Sequence, residues 1–346
     1  MPMPRSKTAA NASVGVSSLV LSIDKPFVII GRAGMDFYAD PPGTRTEEAT
    51  QFVSHLGGSS ANIAVGLTKQ GGKASLVTCV SDDSIGRFCI NQLKHYGVDP
   101  THVRSVGGEA RNSLAVVETR LHNTQSVIYR NGAADFEMNK EDVDRVDFSK
   151  FGALITTGTV LAAEPSRSAT FHGFEKAKEN GLKIVFDIDY RPYSWPSPEV
   201  AAEVYSRAGA LCDIVVGNDE EFDFMAGGKG KGLAMAEHLA KTSAEIVVYK
   251  MGEFGAITLS GGERIETGIY KVDALKPTGA GDAFMGTFLA SLAQGRELED
   301  SVLRGSASAA IVVSKVACAP AMPTPDQLAE FLSQHPGPTT PNHSPD

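Results

Sequence analysis

The sequence predicts a three-layer α/β/α domain: a mostly parallel sheet with helices on both faces, and a small β-sheet lid. Three observations carry this. Short Val- and Ile-rich runs alternate with helix-like segments long enough for right-handed crossovers. Two polar, strand-like excursions, at about 37–56 and 106–131, interrupt the alternation. The 346 residues, 42% hydrophobic, suffice for a sizeable core; the length also admits two domains.

In chain order, PFVIIG at 26–31 is a buried first strand. The 37–56 excursion follows, with Pro41, Pro42 and a TRTEE run. Gly57 and Gly58 open a helix reaching about Gln70, and 74–80 reads as the next strand. The 84–96 segment puts Ile85, Cys89 and Leu93 on one helical face and stops at Gly97. SLAVVETR and QSVIYR flank His122–Asn123 as a hairpin, which with 37–56 would form the lid. Beyond Gly132 come the strand ALITTG, a helix at 165–180 ended by Gly181, and the strands KIVFDID, DIVVGN and EIVVYK. The domain is expected over 25–334, between a disordered 1–24 and a disordered, Pro-rich 335–346.

The net charge of −9 argues against nucleic acid as a partner. An anionic substrate must then be met by a few local cations. No apolar run reaches ~18 residues, so no membrane span is expected. Cys79, Cys89, Cys212 and Cys318 lack metal-ligand or CxxC spacing and read as reduced residues of a cytoplasmic protein. Residues 1–23 hold Arg5 and Lys7 without acids, faintly like a targeting peptide, though a floppy start explains them too.

The most informative stretch is KPTGAGDAFMGTFLASLAQG, 276–295. Gly279, Ala280 and Gly281 open a helix carrying Phe284, Phe288 and Leu292 at a spacing of four. Uncovered N–H groups at a helix start, with the positive end of its dipole, make an anion site. A carboxylate at that site, Asp282, suits removal of a proton from a hydroxyl that receives a phosphoryl group. A Gly-rich turn with Asp282 as its cap would use the same residues. Other strand ends carry Asp36; Asp189, Tyr190 and Arg191; Asn218 and Glu221; and Lys250, Gly252 and Gly255. Together they suggest phosphoryl transfer with Mg²⁺ and a nucleotide at one sheet edge. There is no Walker A motif; GGKGKG at 227–232 reads as a solvated loop.

Over about 26–333 the chain resembles the ribokinase family of sugar kinases, also called the PfkB family. Gly57, Gly58, Asn62 and Ala64 match its GGxxxNxA signature, Gly279 to Asp282 its GAGD signature, and Asn218 with Glu221 its NxxE element. The resemblance implies a ribokinase-like fold and an ATP- and Mg²⁺-dependent phosphotransferase. Asp282 would be the base, and the amides of Gly279, Ala280 and Gly281 the anion hole. Asn218 and Glu221 would hold Mg²⁺ through water, and Gly252 and Gly255 would lie along the nucleotide. Asp36, Gly57, Gly58 and Asn62 would bind sugar hydroxyls. The lid would be a homodimer contact, and a monovalent cation (K⁺) would sit near the anion hole. The family's usual Asp-Thr before GAGD is replaced by Lys276–Pro277–Thr278, which puts that acid's part in cation binding in question.

SVIYRNGAAD, TTGTVLAAEPSR, DIDYRPYSW, KPTGAGD and ACAPAMPT resemble one branch of the family, the 5-dehydro-2-deoxygluconokinases, and include the Lys-Pro variant. That implies a six-carbon keto acid phosphorylated at its terminal hydroxyl in inositol catabolism. A 2-keto-3-deoxygluconate kinase and a catalytically inactive sugar-acid sensor are the alternatives. Arg191 and Arg130 are the candidate carboxylate partners, because guanidinium grips a carboxylate with two hydrogen bonds. A structural ion pair is the alternative role for each, more so for Arg130 than for Arg191.

Overall fold

The computed structural model of the protein describes residues 21–120, 122–335 and 337–339. Its strands are β1 (Phe27–Ile30), β2 (Gly34–Asp40), β3 (Gln51–Gly57), β4 (Ala74–Ser81), β5 (Val103–Val106), β6 (Leu114–Val117) and β7 (Ser126–Tyr129), followed by β8 (Ala153–Thr157), β9 (Lys183–Asp187), β10 (Ile214–Asn218), β11 (Ile246–Lys250), β12 (Ala256–Ser260) and β13 (Glu263–Thr267). The helices are α1 (Ser59–Lys69), α2 (Ser84–His95), α3 (Lys140–Asp144), α4 (Ser166–Glu179), α5 (Pro198–Gly209), α6 (Asp219–Met225), α7 (Gly232–Thr242), α8 (Ala280–Ala293), α9 (Leu298–Val313) and α10 (Pro325–Gln334).

The main sheet runs β13-β12-β11-β10-β9-β8-β1-β4-β5. Every pairing from β5 across to β11 is parallel, and β12 and β13 are antiparallel additions at the far edge. The expected sheet is present with its parallel strands. The β12–β13 hairpin, turning at Gly261–Gly262, was not among the expectations, although alternating AITLS and ERIET flank that glycine pair.

Side chains on a strand point alternately to the two faces, so each strand feeds two cores. Phe27, Ile29, Ile155, Val216 and Val248 pack with Ile63, Leu67, Phe288 and Leu289 of α1 and α8. Val28, Ile30, Leu154, Val215 and Val247 pack on the other side with Phe174 of α4, Ala208 of α5 and Leu239 of α7. Sequence order in the sheet reverses at the β1–β8 pair. Ligands of open α/β sheets sit at such a point, beyond the strands' carboxyl ends.

The separate sheet has the order β3-β2-β6-β7. Its inner face, with Tyr38, Ala115 and Val117, packs against Ala317. On its outer face Phe52, Val127 and Tyr129 are exposed. Most of the 1–24 and 335–346 segments lie outside the described residues, but their inner ends are packed. Leu21 is buried, the Ile23 N–H donates to the Ala293 carbonyl at 3.0 Å, and the Thr339 N–H donates to the Ile269 carbonyl at 2.8 Å. Disorder is therefore not the state of 21–24, because apolar Leu21 and Ile23 find the α8 side of the core.

Candidate active site

Two glycines place the central carboxylate. A Cβ on Gly286 would lie 2.9 Å from the Gly66 Cα, so α1 and α8 cross with their backbones in contact. Asn62 is four residues before Gly66 and Asp282 four before Gly286. One turn up from the crossing, the two side chains therefore meet: Asn62 Nδ2 donates to Asp282 Oδ2 at 2.8 Å.

Asp282 stands in the first turn of α8. Gly279 caps that helix at φ +87°, where a Cβ would lie 2.5 Å from Cys318 Sγ. The Ala283 N–H bonds back to the Gly279 carbonyl at 3.0 Å, so the amides ahead of it have no helical acceptor. Gly279, Ala280, Gly281 and Asp282 all line one cavity of about 520 Å³. Burial, with the Asp189 carboxylate adding to it, pushes the Asp282 carboxyl up to about 7; Asn62, Arg191 and Arg32 oppose the rise. A carboxylate ionising near neutrality beside free amides can take a proton from a hydroxyl while the amides stabilise an anion.

The strand ends deliver the rest of the wall. Asn218 and Glu221 line the cavity and form a reciprocal cap on α6, each side-chain oxygen accepting the other's N–H at 2.8 Å. The cap uses Asn218 Oδ1 and Glu221 Oε2, which leaves a donor, Asn218 Nδ2, and an acceptor, Glu221 Oε1, outside it. Burial raises the Glu221 carboxyl, against the opposing charge of Lys250, which also lines the cavity. Burial pushes Asp187, at the end of β9, well above the ordinary range. Gly252 and Gly255 line the wall at φ +57° and +95°. A side chain at 255 would strike the Thr267 carbonyl. The 227–232 glycine loop joins α6 to α7, where the Asp223 carboxylate accepts from the Gly230 and Gly232 amides.

On the lid side, Asp36 lines the cavity from β2. Burial raises it to about 6, with Arg32 and Lys276 opposing. Gly58 is at φ +91° against the Arg32 carbonyl. Ala115, Val117 and Ile128 on the lid's inner face close over the space. Arg191 reaches the cavity with Nη2 at 2.7 Å from Asp189 Oδ1, a pairing that holds its own pKa up.

Two expected contacts take other forms. Gly57 does not line the cavity; a Cβ there would overlap the Asp36 carboxylate, so its lack of a side chain makes room for Asp36. Arg130 does not line it either. Its guanidinium is buried in an ion pair with Asp135, donates to the Thr159 carbonyl at 2.8 Å and lies over the Phe136 ring. An acid five residues downstream pairs with it locally, although its Nε is buried without an acceptor.

Arg32, Ser59, Asp187 and Cys318 also line the cavity and were not singled out from the sequence. Ser59 donates to Asp189, which is held at φ +37°. Lys276 is fully buried behind the anion-site loop, where Nζ donates to the Thr278 carbonyl and to Cys318 Sγ at 3.6 Å.

The family model for pfkB family carbohydrate kinases matches residues 25–325. Over 324 residues the chain is 37% identical to 5-dehydro-2-deoxygluconokinase of Photobacterium profundum, covering 92% of this chain and 98% of that protein. It is 35% identical over 327 residues to the enzyme of that name from Geobacillus kaustophilus, with 92% and 98% covered. Among solved structures, a putative ribokinase II from E. coli in complex with ATP and Mg²⁺ superposes with a TM-score of 0.81 at 20% identity, covering 90% of this chain and 100% of that one. A fructokinase double mutant from Vibrio cholerae O395, bound to fructose, ADP and potassium ion, gives 0.78 at 25% identity, with 90% and 99% covered. Similarity that runs through both signatures and the lid shows that the chain belongs to the pfkB family of carbohydrate kinases, which are phosphotransferases.

Proposed function

We propose that the protein transfers the γ-phosphoryl group of ATP to the C6 hydroxyl of 5-dehydro-2-deoxy-D-gluconate, a step of myo-inositol catabolism carried out in the cytoplasm. The observation that carries the reading is Asp282, held by Asn62 at the head of α8, ionising near neutrality beside free amides under a lid. The substrate comes from the name shared by relatives that align over nearly their full length.

In this reading Asp282 takes the proton of the C6 hydroxyl. The freed oxygen bonds to the γ-phosphorus as the bond to the β–γ bridging oxygen breaks, and ADP leaves. The Gly279, Ala280 and Gly281 amides stabilise the charge on the transferred group. Gly252, Gly255 and Lys250 flank the nucleotide. Asp36, Gly58 and Asn62 face the sugar hydroxyls, and Arg191 lies on the substrate side.

The residues fit a divalent ion held through water. Glu221 keeps Oε1 outside the helix cap to accept a hydrogen bond from a metal-bound water, and the Asn218 Nδ2 left outside the cap is a donor suited to a phosphate oxygen. Mg²⁺ there would neutralise phosphate charge. The exposed Phe52, Val127 and Tyr129 on the lid's outer face support a homodimer formed through the lid.

Purified protein assayed with ATP, Mg²⁺ and a panel of sugar acids and neutral sugars tests the substrate. The highest kcat/KM is expected for 5-dehydro-2-deoxy-D-gluconate. Preference for 2-keto-3-deoxygluconate, ribose or fructose would reject the assignment, and binding without any transfer would make the protein a sensor.

A further inference from the structure

Two arginines line the cavity, and they differ in what holds them. Arg191 is paired with Asp189, donates to the Tyr190 carbonyl at 2.9 Å, and its side chain is 40% exposed. Arg32 is 7% exposed and forms no ion pair among the described residues. Its one side-chain hydrogen bond runs from Nη1 to Ser113 Oγ at 3.3 Å, near the long limit. Its Nε is buried without an acceptor, and Nη2 also makes no hydrogen bond to a described residue.

Burying a guanidinium without a paired counter-charge is costly. Asp36 and Asp282 feel the Arg32 charge, but neither is close enough to pair with it. The group is thus desolvated in advance, with Nε sealed from solvent and Nη2 without a described acceptor, so a carboxylate entering the cavity beside it can accept from Nη2. Its position adds to the argument. Arg32 lies between β1 and β2, where the chain leaves the main sheet for the lid, and its partner Ser113 immediately precedes β6 of the lid.

We propose that Arg32 is the carboxylate anchor of the substrate site, and that Arg191, already engaged by Asp189, has the lesser part. This rests on the sugar-acid reading above. The anchor takes the carboxylate at one end of the acid while Asp282 takes the hydroxyl at the other. Discrimination between acids and neutral sugars therefore resides at residue 32.

Steady-state kinetics of the full-length protein test it, with wild type, Arg32→Met, Arg32→Lys and Ser113→Ala. Arg32→Met should raise KM for the acid ~10- to 100-fold, as for loss of a charged hydrogen-bonding partner. KM for ATP should stay within about twofold, and the melting temperature should hold or rise, because an uncompensated buried charge has gone. Arg32→Lys should retain part of the affinity, and it carries the same test should the Met variant not fold. Ser113→Ala should leave KM for the acid within about threefold. An unchanged KM for the acid at residue 32 overturns the proposal, as does Ser113→Ala reproducing the loss, since Arg32 would then only brace the lid. If wild type turns over no sugar acid, the substrate reading falls and takes this one with it; turnover of the acid with residue 32 indifferent fails this proposal alone.

Discussion

At the α8 end of the cavity the groups set by the helix are main-chain amides and the Asp282 carboxylate, fixed by a helix start and a glycine crossing, with Lys250 Nζ beside Gly281. At the lid end they are side chains, Arg32, Asp36 and Arg191, brought together from a β1–β2 connection, a lid strand and the segment after β9. The first end is specified mainly by a few consecutive residues, and a long-range contact, that of Gly66 with Gly286, completes it. The second exists only once the fold has formed. A helix start that binds an anion can serve any phosphate, so the α8 end is general to the chemistry. The lid end carries whatever is particular to the acceptor.

Asp282→Asn should break the general end with the largest effect. Loss of the base should lower kcat ~10²-fold or more, while KM for ATP changes little. In wild type, kcat/KM should fall about tenfold per unit below pH ~7, because the carboxyl must be ionised to accept a proton. Stability should move the other way. The folded-state pKa lies above the ordinary value, so the folded protein holds this proton more tightly than the unfolded chain. Stability is therefore lost as pH rises from about 4 to about 7, and the loss is complete above the folded-state value. The Asn variant should melt higher than wild type at pH 8, and the gap should narrow as pH drops below 7. A variant keeping most of its kcat would remove Asp282 from the chemistry.

Gly279→Ala tests the same end through the backbone. The residue is at φ +87°, and an added Cβ would lie 2.5 Å from Cys318 Sγ. Strain of ~1–3 kcal/mol and displaced amides should cost ~10- to 100-fold in kcat and lower the melting temperature. Adding Cys318→Ala removes the collision but not the unfavourable φ. The double variant should recover part of the stability, and full recovery would show that the contact, not the left-handed backbone, matters.

The two ends also differ in how far they can be read before folding. GAGD followed by an apolar helix is a local pattern whose structural meaning, free amides beside a carboxylate, follows from helix geometry alone. The parallel strands are legible for the same reason, as buried runs bounded by glycine and polar residues. Arg32 is illegible because its significance lies in the absence of a partner, which no local pattern states. Arg130 illustrates the converse: in RNGAAD the satisfying Asp135 is nearby, yet sequence spacing does not distinguish an arginine awaiting a substrate from one already paired. The four-residue offsets from Asn62 to Gly66 and from Asp282 to Gly286 are a readable signal that two helices touch one turn below a shared site.

Arg191→Ala sharpens the lid end with a smaller effect. With Asp189 already its partner, KM for the acid should rise only ~3- to 10-fold, less than for Arg32. Arg191 also holds the Asp282 carboxyl down, so its removal should move the acidic limb of the pH profile upward by a fraction of a unit. A loss as large as that at Arg32 would mean that both guanidinium groups grip the acid together.

The smallest effect concerns monovalent cations. Lys276, where the family's usual acid would stand, is buried behind the α8 end with Nζ on the Thr278 carbonyl, one residue before Gly279. Asp36 feels its charge, and the Cys318 thiol beside it is pushed up to about 11 by burial, so the thiol stays neutral near pH 7. A tethered ammonium thus supplies positive charge to the carbonyl side of the loop whose amides face the cavity. Exchanging Na⁺ for K⁺ should therefore change wild-type kcat less than about twofold, since a fixed charge needs no ion from solution. Lys276→Ala should lower kcat, and ammonium or methylammonium should restore part of it by refilling the space. Strong K⁺ activation of wild type would show that the lysine leaves that role open, and the α8 end would then depend on solution ions as well as on the chain.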